Sequence, residues 1–248
     1  MNLTYLEIDH NRVHFDRLNR ARGEFFNRLV MGWIYHEHAL EGVVLSGDTL
    51  MRALERAPVR NWVDGQVQQS LLKLKDCTEF LYESAQNNVP ITVEFIRELH
   101  VRLCDPGSDT AGRYRKRDTS PGVYNLNICP HGSVSYFLHK VADMAENDFK
   151  DVHPVRAASI VHWEYMKVFP FDEKSGLVGR LLMNYMLIRA GYPPAIIHQK
   201  DRPLYFSALD GHRTDLVEVL VDAISSTIGA AEAFSSQYLE SDRHGLAL

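Results

Sequence analysis

What the chain lacks narrows it first. Of its 248 residues only three are cysteine, Cys77, Cys104 and Cys129. The number is odd, the spacings are wide and no C-x-x-C pair occurs, which excludes a disulfide framework and a zinc ribbon. Cys77 and Cys104 fall in helical patterns and are expected as buried thiols. No window reaches about 18 uncharged apolar residues, so no membrane-spanning helix is expected. Residues 1–11 contain no apolar run of the kind a secretory signal needs. A cytoplasmic protein is therefore the expectation. Basic charge is not in surplus either. Lys and Arg number 27 against 32 Asp and Glu, a net charge of −5, which argues against a nucleic-acid binder. Repeats, low-complexity tracts and Pro- or Gly-rich linkers are absent.

What is present is ordinary globular material: 45% apolar and 24% charged residues over a length that suggests about one domain. Helical periodicity dominates. Phe25, Phe26, Leu29, Trp33, Ile34 and Leu40 mark a helix over 22–40, closed by Glu41-Gly42. Further helices are expected over 49–57, 64–84, 93–103 with Thr92 as N-cap, 133–149 with Ser133 as cap, 154–167, 176–190, 201–209 and 214–238. Residues 1–20 read as an N-terminal segment, 21–240 as one all-α domain, and 241–248 as a frayed tail. Residues 105–131 differ. They hold Pro106, Gly107, Gly112, Pro121, Gly122 and Pro130 around a β-prone run, Val123–Ile128, and read as a long loop or small hairpin. A loop this long in a compact domain is usually functional.

The most informative stretch is 159–189, SIVHWEYMKVFPFDEKSGLVGRLLMNYMLIR. One helix leads through a short loop with Asp172, Glu173 and Lys174 into a second helix near Gly176. The free amides and dipole at that start favour an anion. Arg180 lies one turn further in and can reach an anion held there. Glu173 can hold a divalent cation. The alternative is a helix–loop–helix with a solvated charge run.

This stretch resembles the Fic (Fido) family motif, H-P-F-x-D/E-G-N-G-R-x-x-R followed by L-x-M-N. In that register the chain reads Phe169-Pro170-Phe171-Asp172-Glu173-Lys174-Ser175-Gly176-Leu177-Val178-Gly179-Arg180, then Leu181-Leu182-Met183-Asn184. Ile34 to Gly42, ending in Glu41-Gly42, resembles the inhibitory helix of animal-type members. Gly112-Arg113-Tyr114-Arg115 is similar to the G-x-Y/F-R that opens the family's flap, and Arg189 to Pro194 to the stretch after the motif helix. These pieces run in order over about residues 20–230.

The resemblance implies an all-α Fic bundle with a short β-hairpin flap, and helix 22–42 as its inhibitory-type helix. It implies a nucleotidyltransferase ancestry, in which AMP passes from ATP with Mg²⁺ to a hydroxyl of a target protein. The motif His is the base, the acid holds Mg²⁺, the Gly-Asn-Gly turn and two arginines bind phosphate, and the flap pins the target as an added strand. Position by position the chain departs from this. Phe169 stands in the base slot and has no proton acceptor. Lys174 stands at a nest glycine, Ser175 at the nest Asn and Leu177 at the first Arg. The acid Glu173, Gly176, Arg180 and the inhibitory-type Glu41 are kept. The family's adenine-side Tyr and Asn fall near Phe206 and Arg213.

Several expectations follow. Lys174, Ser175, Gly176 and Arg180 are the anion- or nucleotide-binding candidates, and Glu173 the metal candidate. Glu41 is expected to pair with Arg180. Val123, Tyr124, Asn125, Leu126 and Asn127 are the target-flap candidates. Phe169 is expected either to fill the core or to plug the cleft, and Lys174 either to be solvated or to replace the lost arginine. His162 lies seven residues before Phe169, about 10 Å along its helix, which makes it structural rather than a substitute base; His36, His38 and His131 are the other possibilities. The leading expectation is a Fic-fold protein without conventional AMP transfer, binding an anion, a nucleotide or a protein partner. The alternatives are a transferase using another phosphate-containing donor, adenylyl transfer with a substitute base, or a helical adaptor.

Overall fold

A computed structural model describes residues 3–20, 23–59 and 61–245, all in helices, turns and loops. Ten α-helices run in the order α1 (Leu3–Arg20), α2 (Glu24–Leu40), α3 (Gly47–Leu54), α4 (Trp62–Gln86), α5 (Val93–Leu103), α6 (Val134–Asp143), α7 (Pro154–Val168), α8 (Ser175–Arg189), α9 (Arg202–Asp210) and α10 (Asp215–Gly245). Local chemistry explains most of the boundaries. Thr92 caps α5 by accepting from the Phe95 N–H at 3.1 Å. Ser46 and Asn61 cap α3 and α4 in the same way. Gly42 and Gly191 take positive φ just beyond α2 and α8, the left-handed stop that glycine permits.

The antiparallel hairpin of α7 and α8 is the centre of the molecule. Its α8 sequence is apolar on all sides, as a helix surrounded by protein must be, and α4 and α5 pack against it along with α7. Gly179 lets the two helices approach closely. A Cβ there would lie 2.7 Å from the Tyr165 ring. Asn184, the one amide inside α8, accepts from the Ala195 N–H at 2.8 Å and fixes the chain leaving the helix. The helix α2 packs on α4 and α1, with Trp33 and Ile34 fully buried, and reaches α8 through Glu37.

Four expectations are corrected. Residues 3–20 form α1, packed on α10 with Ile8 and Phe15 buried. The final helix continues to Gly245, so most of the expected tail is helical, and residues 246–248 lie outside the described part. Ser133 makes no side-chain cap, because residues 131–133 form a tight turn ahead of α6. The expected β-hairpin is replaced by a turn at Gly122 and an extended stretch to Pro130, and no strand occurs among the described residues. The alternation of a strand is there, with Tyr124 and Leu126 buried and Val123, Asn125 and Asn127 exposed. A ladder is not, because side chains and the main chain of α7 hold the returning arm. Arg115 reaches the Cys129 carbonyl, and the Cys129 N–H donates to the Lys167 carbonyl at 2.8 Å.

Candidate functional site

Helix α7 ends at Phe169, which takes φ +45, ψ +65. A left-handed non-glycine residue costs about 1–2 kcal/mol, so something must hold it. Arg115 does. Its side chain is buried, its Nε donates to the Phe169 carbonyl at 3.0 Å, and its main-chain N–H donates to the Pro170 carbonyl at 2.9 Å. The same guanidinium donates to the Val168 carbonyl at 3.3 Å. The arginine of the flap-opening motif therefore ties both arms of the loop to the end of α7. The Phe169 ring is buried and meets Tyr124 edge-on at 5.9 Å. The position at which the resemblance implies a base is thus filled by hydrocarbon.

The loop into α8 places the anion candidates in different environments. Ser175 is buried. Its hydroxyl accepts from the Phe171 N–H at 2.8 Å and donates to the Phe171 carbonyl at 2.9 Å, so it closes the turn and has no spare donor for a ligand. Lys174 keeps the left-handed turn at φ +60 although it is not glycine. Its ammonium lies 3.8 Å from Glu173 and its charge acts on His100. Burial first, and then Lys174, pushes the His100 imidazole down to about 4. That ring stacks flat on Phe171 at 3.9 Å, and its Nδ1 accepts from the Gly112 N–H at 2.9 Å. Gly176 opens towards Tyr124, whose phenol lies so close that an added Cβ would overlap it. The phenol thus covers the N-terminal turn of α8.

Arg180 is brought to Glu41 as expected, with Nη2 donating to Glu41 Oε1 at 2.7 Å. Two partners were not read from the sequence. The Arg180 Nε donates to Glu37 Oε2 at 2.6 Å, and Nη1 donates to the Tyr124 hydroxyl at 2.5 Å. The Tyr124 hydroxyl in turn donates to Glu41 Oε1 at 2.6 Å, and the Trp33 indole donates to Glu37 Oε1 at 3.1 Å. Arg180 and Glu37 are buried. Burial pushes the Glu37 carboxyl up, and Arg180 offsets only part of that. Burial would raise Glu41 as well, but Arg180 with the Tyr124 hydroxyl holds it below its ordinary value. Burial alone would lower Arg180; Glu37, Tyr124 and Glu41 hold it well above. All three faces of the guanidinium are taken by the protein itself.

The histidines are committed elsewhere. His162 is buried, and its Nε2 shares a 2.8 Å hydrogen bond with the Tyr205 hydroxyl. Burial, and then Arg180, pushes it down to about 3. His36 stacks on His198 at 4.3 Å. His38 bonds the Ile34 carbonyl and Ser70, and His131 bonds Asp118. Phe206, near the expected adenine side, packs on Tyr124 at 4.9 Å and under the Arg202 guanidinium at 4.6 Å. A resident divalent cation does not fit. Glu173 is one exposed carboxylate beside an ammonium, and no group of three His, Cys, Asp or Glu suited to a metal occurs among the described residues.

Sequence reasoning missed Glu37 as a site residue, and it placed Tyr124 on the target flap without its contact to Arg180. The signal for Glu37 was available: it is an acid four residues before Glu41 and four after Trp33, on the buried face of an apolar helix.

Helix α2, the loop 105–131 and the α7–α8 hairpin thus meet at one arginine. Residues 90–187 match the Fic/DOC family model. The fold agrees. A Fic domain containing signaling protein from Bacteroides thetaiotaomicron matches with a TM-score of 0.74 and 22% identity, over 91% of this chain and 97% of that one. Fic-1 from C. elegans matches with a TM-score of 0.75 and 23% identity, over 94% of this chain and 72% of that one. Among curated proteins, Protein adenylyltransferase Fic of Drosophila willistoni and of Drosophila melanogaster are each 27% identical over 208 residues, 78% of this chain and 41% of theirs. The chain thus spans about two fifths of the length of these relatives.

Proposed function

We propose that this chain is a degenerate Fic protein that does not transfer AMP by its family's route and works by binding a partner. The observation that supports this most is the saturation of Arg180 by Glu37, Glu41 and Tyr124. A phosphate would have to displace two carboxylates and a phenol from a buried guanidinium. Phe169 then offers nothing to take a proton from an incoming hydroxyl. The partner in this reading is a protein met by the flap, Val123 to Asn127. A cytoplasmic setting belongs to the same proposal: no helix among the described residues is long and apolar enough to cross a membrane, and the three cysteines are free thiols. The test is incubation of the chain and a cell extract with ATP and Mg²⁺, read by mass spectrometry. No adenylate on either is the expected result, and a covalent adenylate made by the chain would overturn the reading.

The 27% identity to adenylyltransferases favours a second reading, transfer from ATP or another phosphate-containing donor after Tyr124 and Glu41 have left Arg180. A donor-dependent modification that disappears in Arg180→Met but persists in Glu41→Ala would establish it.

A further inference from the structure

The flap carries a charge that the rest of the chain does not. Between residues 113 and 140 stand Arg113, Arg115, Lys116, Arg117 and Lys140 against one acid, Asp118, in a chain of net charge −5. Arg115 is buried and used internally. Arg113, Lys116, Arg117 and Lys140 are exposed, and none forms an ion pair among the described residues. The single acid, Asp118, is held by Oδ1, which accepts from the His131 N–H at 2.7 Å and from Arg115 at 3.4 Å. That same bond ties the arm bearing Arg117 to the turn that starts α6.

Two exposed rings follow about 8 Å along that element. Tyr136 is 58% exposed, Phe137 39%, and their centroids are 5.2 Å apart. Lys140 lies over the Tyr136 ring at 4.6 Å. Two adjacent large rings left in water make an apolar patch of the kind that marks an interaction site. Earlier in the same loop, the main-chain N–H and C=O groups of the extended stretch Asn125–Ile128 make no hydrogen bond to any described residue.

We propose that this face, from Arg113 to Lys140, docks an extended acidic segment of a partner protein. The inference rests on the partner-binding reading and adds the partner's chemistry. Carboxylates meet Arg113, Lys116 and Arg117, alternate apolar side chains meet Tyr136 and Phe137, and the main chain pairs with Asn125–Ile128. The unpaired amides favour a polypeptide over a nucleic acid, which has no matching ladder.

The probe is a fluorescein-labelled peptide alternating Glu and Val, titrated with the chain and followed by anisotropy. A Gln–Val peptide and a single-stranded oligouridylate are the controls. The Glu–Val peptide is expected to bind the wild type. It should bind at least about tenfold more weakly to the combined variant Arg113→Glu, Lys116→Glu, Arg117→Glu, and more weakly at about 1 M than at about 0.1 M salt, where the screening length falls from about 10 to about 3 Å. Amide exchange at 125–128 should slow on binding. Equal affinity for the Gln–Val peptide would overturn the charge inference and leave flap docking in place. Tighter binding of the oligouridylate would overturn it in favour of RNA. No peptide binding and no protection at 125–128 would overturn both this inference and the flap reading beneath it. All three substituted residues are exposed, so an unchanged melting midpoint should confirm that the variant is folded.

Discussion

The two ends of the α7–α8 hairpin make an instructive pair. They lie about 22 Å apart along 15-residue helices, and both gather an arginine, a tyrosine, a carboxylate and a histidine. At the motif end Arg180, Tyr124, Glu37, Glu41 and His162 are mostly buried, and every arm of the guanidinium is used. At the far end Tyr5 stacks on His153 at 4.0 Å, Asp9 accepts from Tyr192, and Arg12 lies 4.5 Å over the Tyr192 ring. There Tyr5, Asp9 and His153 line an open cleft of about 660 Å³ and are part-exposed, while the Tyr192 ring behind them is buried. The same residue types form a locked core network in one place and a wet surface cluster in the other. Burial, not inventory, separates them.

The largest expected effect tests that separation directly. Arg180→Met leaves Glu37 and Glu41 without their cation and should cost about 3–5 kcal/mol in urea denaturation, or abolish folding. Asp9→Asn at the far end should cost under about 1 kcal/mol. Equal losses would break the comparison.

Acid should act next most strongly, through His162. Its folded pKa is depressed to about 3, while the unfolded imidazole titrates near about 6.5. The unfolded chain therefore binds the extra proton, so this contribution is fully present above about 6.5 and is lost as pH falls towards 3, by up to roughly 4 kcal/mol. The His162→Gln variant should show a shallower decline of stability over that interval; an unchanged decline would remove His162 as its source.

Tyr124→Phe should cost about 1–3 kcal/mol, because Arg180 and Glu41 each lose a buried hydrogen bond. Tyr192→Phe, which removes one hydrogen bond to the part-exposed Asp9, should cost less. A reversed order in thermal denaturation would contradict the burial argument.

The last effect concerns position. Gly176→Ala should cost about 1–3 kcal/mol by overpacking against the phenol, and most of that loss should vanish in a Tyr124→Ala background. Additive losses would mean that the phenol does not cover the start of α8.

Much of this was legible in the sequence. The helices α2, α4, α5, α7, α8 and α10 were announced by apolar periodicity and by caps such as Thr92. The Glu41–Arg180 contact was expected from the two residues being kept together. The first helix was not visible, because within LTYLEIDHNRVHFDRLNR the buried Ile8 and Phe15 are a sparse signal among polar residues. Tyr124 was placed on a target-binding flap, and Val123–Ile128 was read as a β-prone run, but β propensity cannot say whether a partner strand exists. Nor could it show that the inward tyrosine would reach Arg180, 56 residues away in sequence. Glu37 was passed over because a charged side chain is not expected inside a core, although its spacing to Glu41 placed the pair on one face.

The account turns on Arg180 being satisfied by the chain's own groups. Thermal denaturation of the unmodified chain with ATP and Mg²⁺, with pyrophosphate and with inorganic phosphate tests this most directly. The midpoint should not move with any of them. A saturable stabilisation, about 2.7 kcal/mol at a hundred times the Kd, would show that an anion reaches the site and would contradict the account.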